Sequence, residues 1–399
     1  MSYNTKLGQF CAEHEDWQQL LSQDPYNLMI KFDGIFVMFN YNQLSSDFNN
    51  PIVREARGII FVVGEWEAPV CHAFDKFGNY GEEYVPDIDW NTITVSEKID
   101  GSIMKLWFCN GKWRVSTNGN ISAKDSPIDD VRRDNFEQVF WEGVNKHFPN
   151  SGRFTTPRLA NWSATLNPRL VGWLATLDPG YTYIFELVSP YNRVVIPYEE
   201  TDVYFLGARH NISNNEWGCT EEDAKMLGVE MFPRPKLFPM TTLDEIVRTA
   251  TELPWDEEGY VCYDANFNRC KIKSPSYIIA HYARNNNVIT RRHLIEVILR
   301  GEDEEFLIYA EDYKDILLEV KSLMKSYVDS IGGIGEFARG LRKLDRKRAA
   351  GIISYFDKIA RPIMFANYEQ DVSGEDWVKN WDVHKWDRIL DQYQKFKER

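Results

Sequence analysis

The sequence predicts an α+β protein, with an N-terminal antiparallel-sheet domain followed by an all-helical C-terminal domain. Three observations predict it. Residues from about 28 to 275 carry short β-like runs separated by turn signals. From Tyr277 onward the apolar residues recur at helical spacing. The 399-residue length is enough for two cores.

The strands follow in order. "RGIIFVV" begins at Arg57. "SIMKLWF", Asn110-Gly111 and "KWRVST" make a hairpin, because Asn-Gly suits a type I′ turn. "TYIFELV", "NRVVIPY" and "EGYVCYD" read as further strands. In "YKDILLEVKSLMKSYV", Tyr313, Ile316, Leu317, Val320, Met324 and Tyr327 share one helical face. "RAAGIISYFDKIARPIMF" and "DVHKWDRILDQYQKF" also read as helices. The boundary between residues 1–280 and 281–399 follows this change of period. One echo, "WSATLNP" at Trp162–Pro168 and "WLATLDP" at Trp173–Pro179, reads as a local insertion.

Composition narrows the class. Hydrophobic content of 43% and charged content of 27% are ordinary for a globular chain. No apolar run is long enough to span a membrane, and the first sixteen residues have no apolar signal core. Six cysteines without CxxC spacing point to free thiols in a reducing cytoplasm. A net charge of −14 argues against a coat of nucleic-acid contacts, though not against a local grip. "RGLRKLDRKR", Arg339 to Arg348, has six basic residues against one acid. On a helix it would either track a phosphate backbone or form a solvated face.

The chemistry gathers around "SEKIDGSIMKLWF", where Lys98 precedes Asp100 and Gly101 at the mouth of a strand. A Lys-x-Asp-Gly tetrapeptide alone arises by chance in roughly one chain in ten of this length. Its weight comes from its company. Upstream stand "EARGIIF" with Arg57 and "FDKFGNYGE" with Lys76. Downstream stand "FELVSPYNRVV" with Glu186, "EEGYV" with Glu258, and "KIKSPSY" with Lys271, Lys273 and Tyr277. This array resembles the covalent nucleotidyltransferases, most closely the RNA ligase 1 family of bacteriophages, over about Arg57 to Tyr277.

The resemblance implies an ATP-dependent RNA ligase working through a lysyl-AMP and an adenylylated RNA end, in RNA repair. It makes Lys98 the nucleophile, assisted by Lys271 and Lys273. It gives ATP contacts to Arg57, Lys76, Asp100, Gly101, Glu186 and Tyr277. It gives a divalent ion, Mg²⁺ or Mn²⁺, to Glu258 and Glu186. The implied partners are ATP and single-stranded RNA ends, such as those of a broken tRNA. A monomer in the cytoplasm, with no membrane contact, is the expectation, and the helical domain is expected to select the RNA end. Duplex nick sealing, a capping-type guanylyltransferase and an RNA-binding protein with a decayed site are the alternatives.

Elementary chemistry asks the same of these residues. A free lysine has a pKa near 10.4 and is almost wholly protonated at neutral pH. Attack on phosphorus needs the neutral amine. Lowering the pKa by roughly three units takes about 4 kcal/mol. A like charge at about 5 Å contributes roughly 3 kcal/mol at an effective dielectric near 20. Lys271 and Lys273, two apart on a strand, face the same way and are expected to supply it. Gly101 is expected to let the backbone approach the nucleotide, and Asp100 to anchor the turn. With no GxxxxGK[ST] loop present, bound ATP would have its phosphates held by side chains, a role the resemblance gives to Arg57 and Lys76. One departure from the family stands in "STNGN": Asn118 occupies a position usually held by lysine, so either the phosphate contact is weaker there or Lys124 substitutes.

Overall fold

The computed structural model describes all residues except 1–2, 44, 129, 131–132, 149–166, 283–288, 302, 304–305, 308–312, 359, 379–380 and 398–399. Its residues fall into two compact units, 1–281 and 282–399. Antiparallel sheets build the first and helices the second. The first copy of the echo lies almost wholly outside the described residues. The second begins in the helix Pro168–Thr176, whose Trp173 and Leu170 are buried.

Among the described residues of the first unit, twelve strands form three sheets. β1 (Met29–Asp33), β2 (Phe36–Asn40) and β3 (Arg57–Val62) make a meander that packs on the helix Lys6–Glu13 through Leu7, Cys11, Val37, Phe39, Ile59 and Phe61. β4 (Thr94–Glu97) lies between β10 (Leu237–Phe238) and β11 (Gly259–Tyr263), and β11 pairs in turn with β12 (Arg269–Lys273). β5 (Ser102–Cys109) lies between β6 (Lys112–Thr117) and β7 (Tyr181–Val188); β8 (Asp202–His210) and β9 (Glu216–Trp217) complete that sheet. Asn110 and Gly111, at φ of 51° and 72°, close the β5–β6 hairpin as the Asn-Gly pair requires.

One expected strand is not one. "NRVVIPY" runs as irregular backbone between β7 and β8. The Val195 and Ile196 amides are drawn to the Asp100 carboxylate, at 2.8 and 2.7 Å, and so are not available to a ladder. Pro197 could not donate to one in any case.

In the second unit the helix Lys314–Gly340 buries Leu317, Val320, Met324 and Tyr327 as the spacing predicts and carries the face on to Ile331 and Ala338. Ile316, placed on that face by the sequence, is about half exposed. "RAAGIISYFDKIARPIMF" is two helices, Arg346–Ile353 and Arg361–Glu369. Pro362 sits in the first turn of the second, where its missing amide costs nothing, and its ring discourages a continuous run from upstream. The helix Val383–Lys397 buries Trp386 and Leu390.

Candidate active site

β4 ends at Glu97, and the chain leaves the sheet with the Lys98 amide still bonded to the Gly259 carbonyl at 2.8 Å. That bond sets Lys98 beside the start of β11, and so beside Glu258. Lys98 Nζ lies 2.6 Å from Glu258 Oε1, and Lys273 Nζ lies 3.4 Å from the same oxygen. The two ammonium nitrogens are therefore no more than 6.0 Å apart. Glu258 and Lys273 are buried, while Lys98 is 22% exposed. Burial raises the Glu258 carboxyl above the usual range, against the pull of Lys98 and Lys273.

Beside the expected cation Lys273 the structure brings in a carboxylate as the first neighbour of Lys98. The nearest charged group to Lys98 is a carboxylate, and Lys273 shares it. Lys271 stands two positions away on the same face of β12, with a half-buried side chain. Its backbone bonds Gly78 and Tyr80, which ties the Lys76 loop to the sheet.

Gly259 makes this pairing possible. Its φ is +136°, and a Cβ there would stand 2.3 Å from the Ile272 carbonyl oxygen. The sequence shows a glycine after Glu258 but gives no reason for it. Gly101 permits a close approach within the protein itself. A Cβ on it would stand 2.5 Å from the Leu187 carbonyl and 2.9 Å from Glu186 Cγ. Its smallness therefore brings β5 against β7, so the residue it places is Glu186. Glu186 is half-buried, and desolvation pushes its carboxyl up to about 8; Lys98 and Arg57 pull the other way, while Glu258 adds to the rise.

Asp100 and Tyr277 form a buried brace. Asp100 Oδ2 accepts the Val195 and Ile196 amides, and Oδ1 accepts the Tyr277 hydroxyl at 2.8 Å. Both residues are 3% exposed. They fix the turn after Lys98 to the loop after β7 and to the helix Pro275–Tyr282.

The remaining cations gather about Tyr41, which the sequence did not single out. Lys76 Nζ sits 5.3 Å above the Tyr41 ring and 5.2 Å above Phe48. Arg57 lies over Phe77 at 5.1 Å. Burial works to raise the Tyr41 phenol, but Lys76 and Arg57 bring it below the ordinary tyrosine range. Asp75 supports this loop: it pairs with Arg209 at 2.7 Å, and Arg209 also donates to the Ala73 carbonyl.

Asn118 points its carbonyl to Asn40 Nδ2 at 3.0 Å. Lys124 is 63% exposed and lies 3.9 Å from Glu137. A different lysine stands near. Lys105, fully buried in β5, donates to the Gly58 carbonyl beside Arg57. A Cβ on Gly58 would meet both Lys105 Nζ and the Asn118 carbonyl. Burial lowers the Lys105 amine to about 8, with Arg57 adding to the drop and Cys71 opposing it. The sequence signal was present: a lysine between Ile103 and Trp107 on an apolar face.

No group of three or more His, Cys, Asp or Glu side chains suited to a metal occurs among the described residues. The two hard carboxyls of Glu186 and Glu258 do fit an ion such as Mg²⁺, which takes few protein ligands and keeps waters and substrate phosphates.

The RNA ligase family model matches residues 55–277, more than half of the chain. The chain belongs to the RNA ligase family. It is 27% identical over 307 residues to a protein of Autographa californica nuclear polyhedrosis virus named as a bifunctional polynucleotide kinase/RNA ligase. That match covers 74% of this chain and 39% of the viral protein, so the chain spans about two fifths of that relative. It is 25% identical over 367 residues to the RNA ligase of Rhodothermus phage RM378, covering 76% of this chain and 78% of the phage protein. An archaeal ATP-dependent RNA ligase superposes with a TM-score of 0.42 at 13% identity, covering 78% and 79% of the two chains. A likeness of that degree adds nothing to the family assignment.

Proposed function

We propose that this chain is an ATP-dependent RNA ligase that seals 5′-phosphate to 3′-hydroxyl ends of single-stranded RNA, in repair. The observation that carries the reading is the Lys98–Glu258–Lys273 cluster, with Glu186 beside it and Arg57 and Lys76 as phosphate-binding cations. Glu258 Oε1 is the atom placed to take the Lys98 proton. The freed amine then attacks the α-phosphorus of ATP; a P–N bond forms and pyrophosphate leaves. Lys273 stays beside the developing charge, and Lys271, Arg57 and Lys76 offer further cations to phosphate oxygens. AMP next passes to an RNA 5′-phosphate, and a 3′-hydroxyl displaces it. Glu258 and Glu186 would hold a divalent ion, which would supply charge neutralisation on the phosphates; Mg²⁺ and Mn²⁺ both suit that donor set. Asp100, Gly101 and Tyr277 hold the pocket in shape.

The test compares two RNAs with ATP and Mg²⁺: a 5′-phosphorylated single strand and a nicked duplex. The account expects circles or concatemers from the single strand in excess over sealed duplex. A strong preference for the nick would move the protein to duplex repair. Label transferred from GTP but not ATP would make it a guanylyltransferase.

A further inference from the structure

The basic segment Arg339–Arg348 is not used by the adenylylation site. In the structure most of it is committed. Arg339 and Arg342 bond the Asn367 side chain and carbonyl, and Arg342 also pairs with Asp371. Arg346 pairs with Glu369. These residues tie the helix Lys314–Gly340 and its following turn to the helix Arg361–Glu369.

Lys347 and Arg348 stand apart from that set. They open the helix Arg346–Ile353, which Asp345 caps by accepting both of their amides at 3.1 Å. Ala349 and Ile353 face the core of this unit. Lys347, Gly351 and Tyr355 follow one another at four-residue steps, and Arg348 lies seven residues before Tyr355. Lys347, Arg348 and Gly351 are exposed on the side of the helix away from Ala349 and Ile353, and Tyr355 follows two residues after the helix ends. Arg348 is 78% exposed, with Asp345 at 3.3 Å, a solvent-exposed pair that a phosphate can exchange for. Tyr355 is 91% exposed. Beside it, half-buried Phe356 meets half-exposed Phe337 at 5.4 Å. Gly351 has nothing within 4 Å of where a Cβ would be. A glycine inside a helix is unfavourable, and no packing among the described residues requires this one.

We propose that Lys347, Arg348, Gly351 and Tyr355 form a docking surface for single-stranded RNA on the helical unit. The inference rests on the ligase reading above, and names where its RNA is held. Charge complementarity selects the occupant: two exposed cations on a chain of net charge −14, beside a flat aromatic ring. Backbone-tracking cations combined with a ring for base stacking are how proteins hold single strands. The helix rises about 7.5 Å from Arg348 to Ile353 and two further residues reach Tyr355, so cation and ring lie within about 15 Å along the chain, the reach of a phosphate and a nearby base of one strand. Gly351 between them leaves the helix backbone open to close approach.

The test uses the full chain and a labelled, 5′-phosphorylated single-stranded oligouridine, with anisotropy as the readout. Tyr355→Ala is expected to weaken binding roughly 5- to 150-fold, and Tyr355→Phe to restore it, because stacking needs the ring and not the hydroxyl. The double change Lys347→Ala with Arg348→Ala should reduce the slope of log affinity against log salt by about 1.4. Gly351→Leu separates docking from folding: it should raise the melting temperature and yet weaken RNA binding. Binding unchanged in Tyr355→Ala and Gly351→Leu would overturn the proposal. Label from α-labelled ATP on Lys98, without RNA, is read in parallel. Normal labelling with unchanged RNA binding sinks this surface alone. RNA binding that is present in the wild type and lost in Tyr355→Ala, in a protein whose wild type never takes the label, sinks the ligase reading and leaves the surface standing.

Discussion

At the scale of single residues, the turn after Lys98 shows how few contacts hold the site. Tyr277→Phe removes the hydroxyl that Asp100 Oδ1 accepts and leaves a buried carboxylate short of a donor. The expected loss is about 1–3 kcal/mol of unfolding free energy in urea, with a fall in adenylylation. Lys105 tests burial by pH. Its amine titrates near 8 folded and near 10.5 unfolded. Between those values the unfolded chain holds a proton that the folded chain has shed, so stability rises with pH across that window. Relative to Lys105→Met, the wild type should gain up to about 3 kcal/mol from pH 8 to 10.5. A flat difference would show that this amine is not desolvated. Lys98, Glu258 and Lys273 were legible because their residue types recur in a fixed order. Tyr41 was not, since nothing local distinguishes a tyrosine at a strand end from core. Nor did the sequence reveal that a carboxylate would be the first neighbour of Lys98, because that depends on Gly259 admitting close pairing.

At the scale of elements, glycine decides how strands meet. Gly259→Ala must place a Cβ against the Ile272 carbonyl at an unfavourable φ. It should cost about 1–3 kcal/mol, seen as a lowered melting temperature, and reduce adenylylation beyond what the lost stability explains. Unchanged melting and activity would mean that β11 and β12 pair less closely than described. Half of the described strands were readable as apolar or alternating runs (β3, β5, β6, β7, β11 and β12), the β5–β6 hairpin from Asn110-Gly111, while the nine-residue β8 and the short β1, β2, β4, β9 and β10 were not. "NRVVIPY" was not, because its β-branched residues satisfy strand propensity while a distant carboxylate takes its amides. The helical run that breaks before Pro362 misled for the opposite reason: its apolar period continues through the break.

At the scale of the whole molecule, the residues proposed for lysine adenylylation lie between Tyr41 and Tyr277, within the unit 1–281. A fragment of residues 1–281 should therefore still adenylylate itself, while joining RNA poorly. Failure of a folded fragment to take the label would place part of the first step in the helical unit. The change from sheets to helices was legible in the period of the sequence. The order of strands was not, since β4 pairs with β11 across more than 160 residues and only long-range packing selects that partner. The central claim concerns one nitrogen atom. Incubate the full chain with Mg²⁺ or Mn²⁺ and α-labelled ATP, without RNA, and separate it under denaturing conditions. The account predicts a covalent label, stable to base and labile to acid as a P–N bond is, which vanishes in Lys98→Ala. A label that persists in Lys98→Ala, or a wild-type chain that stays unlabelled with both ions, would contradict it.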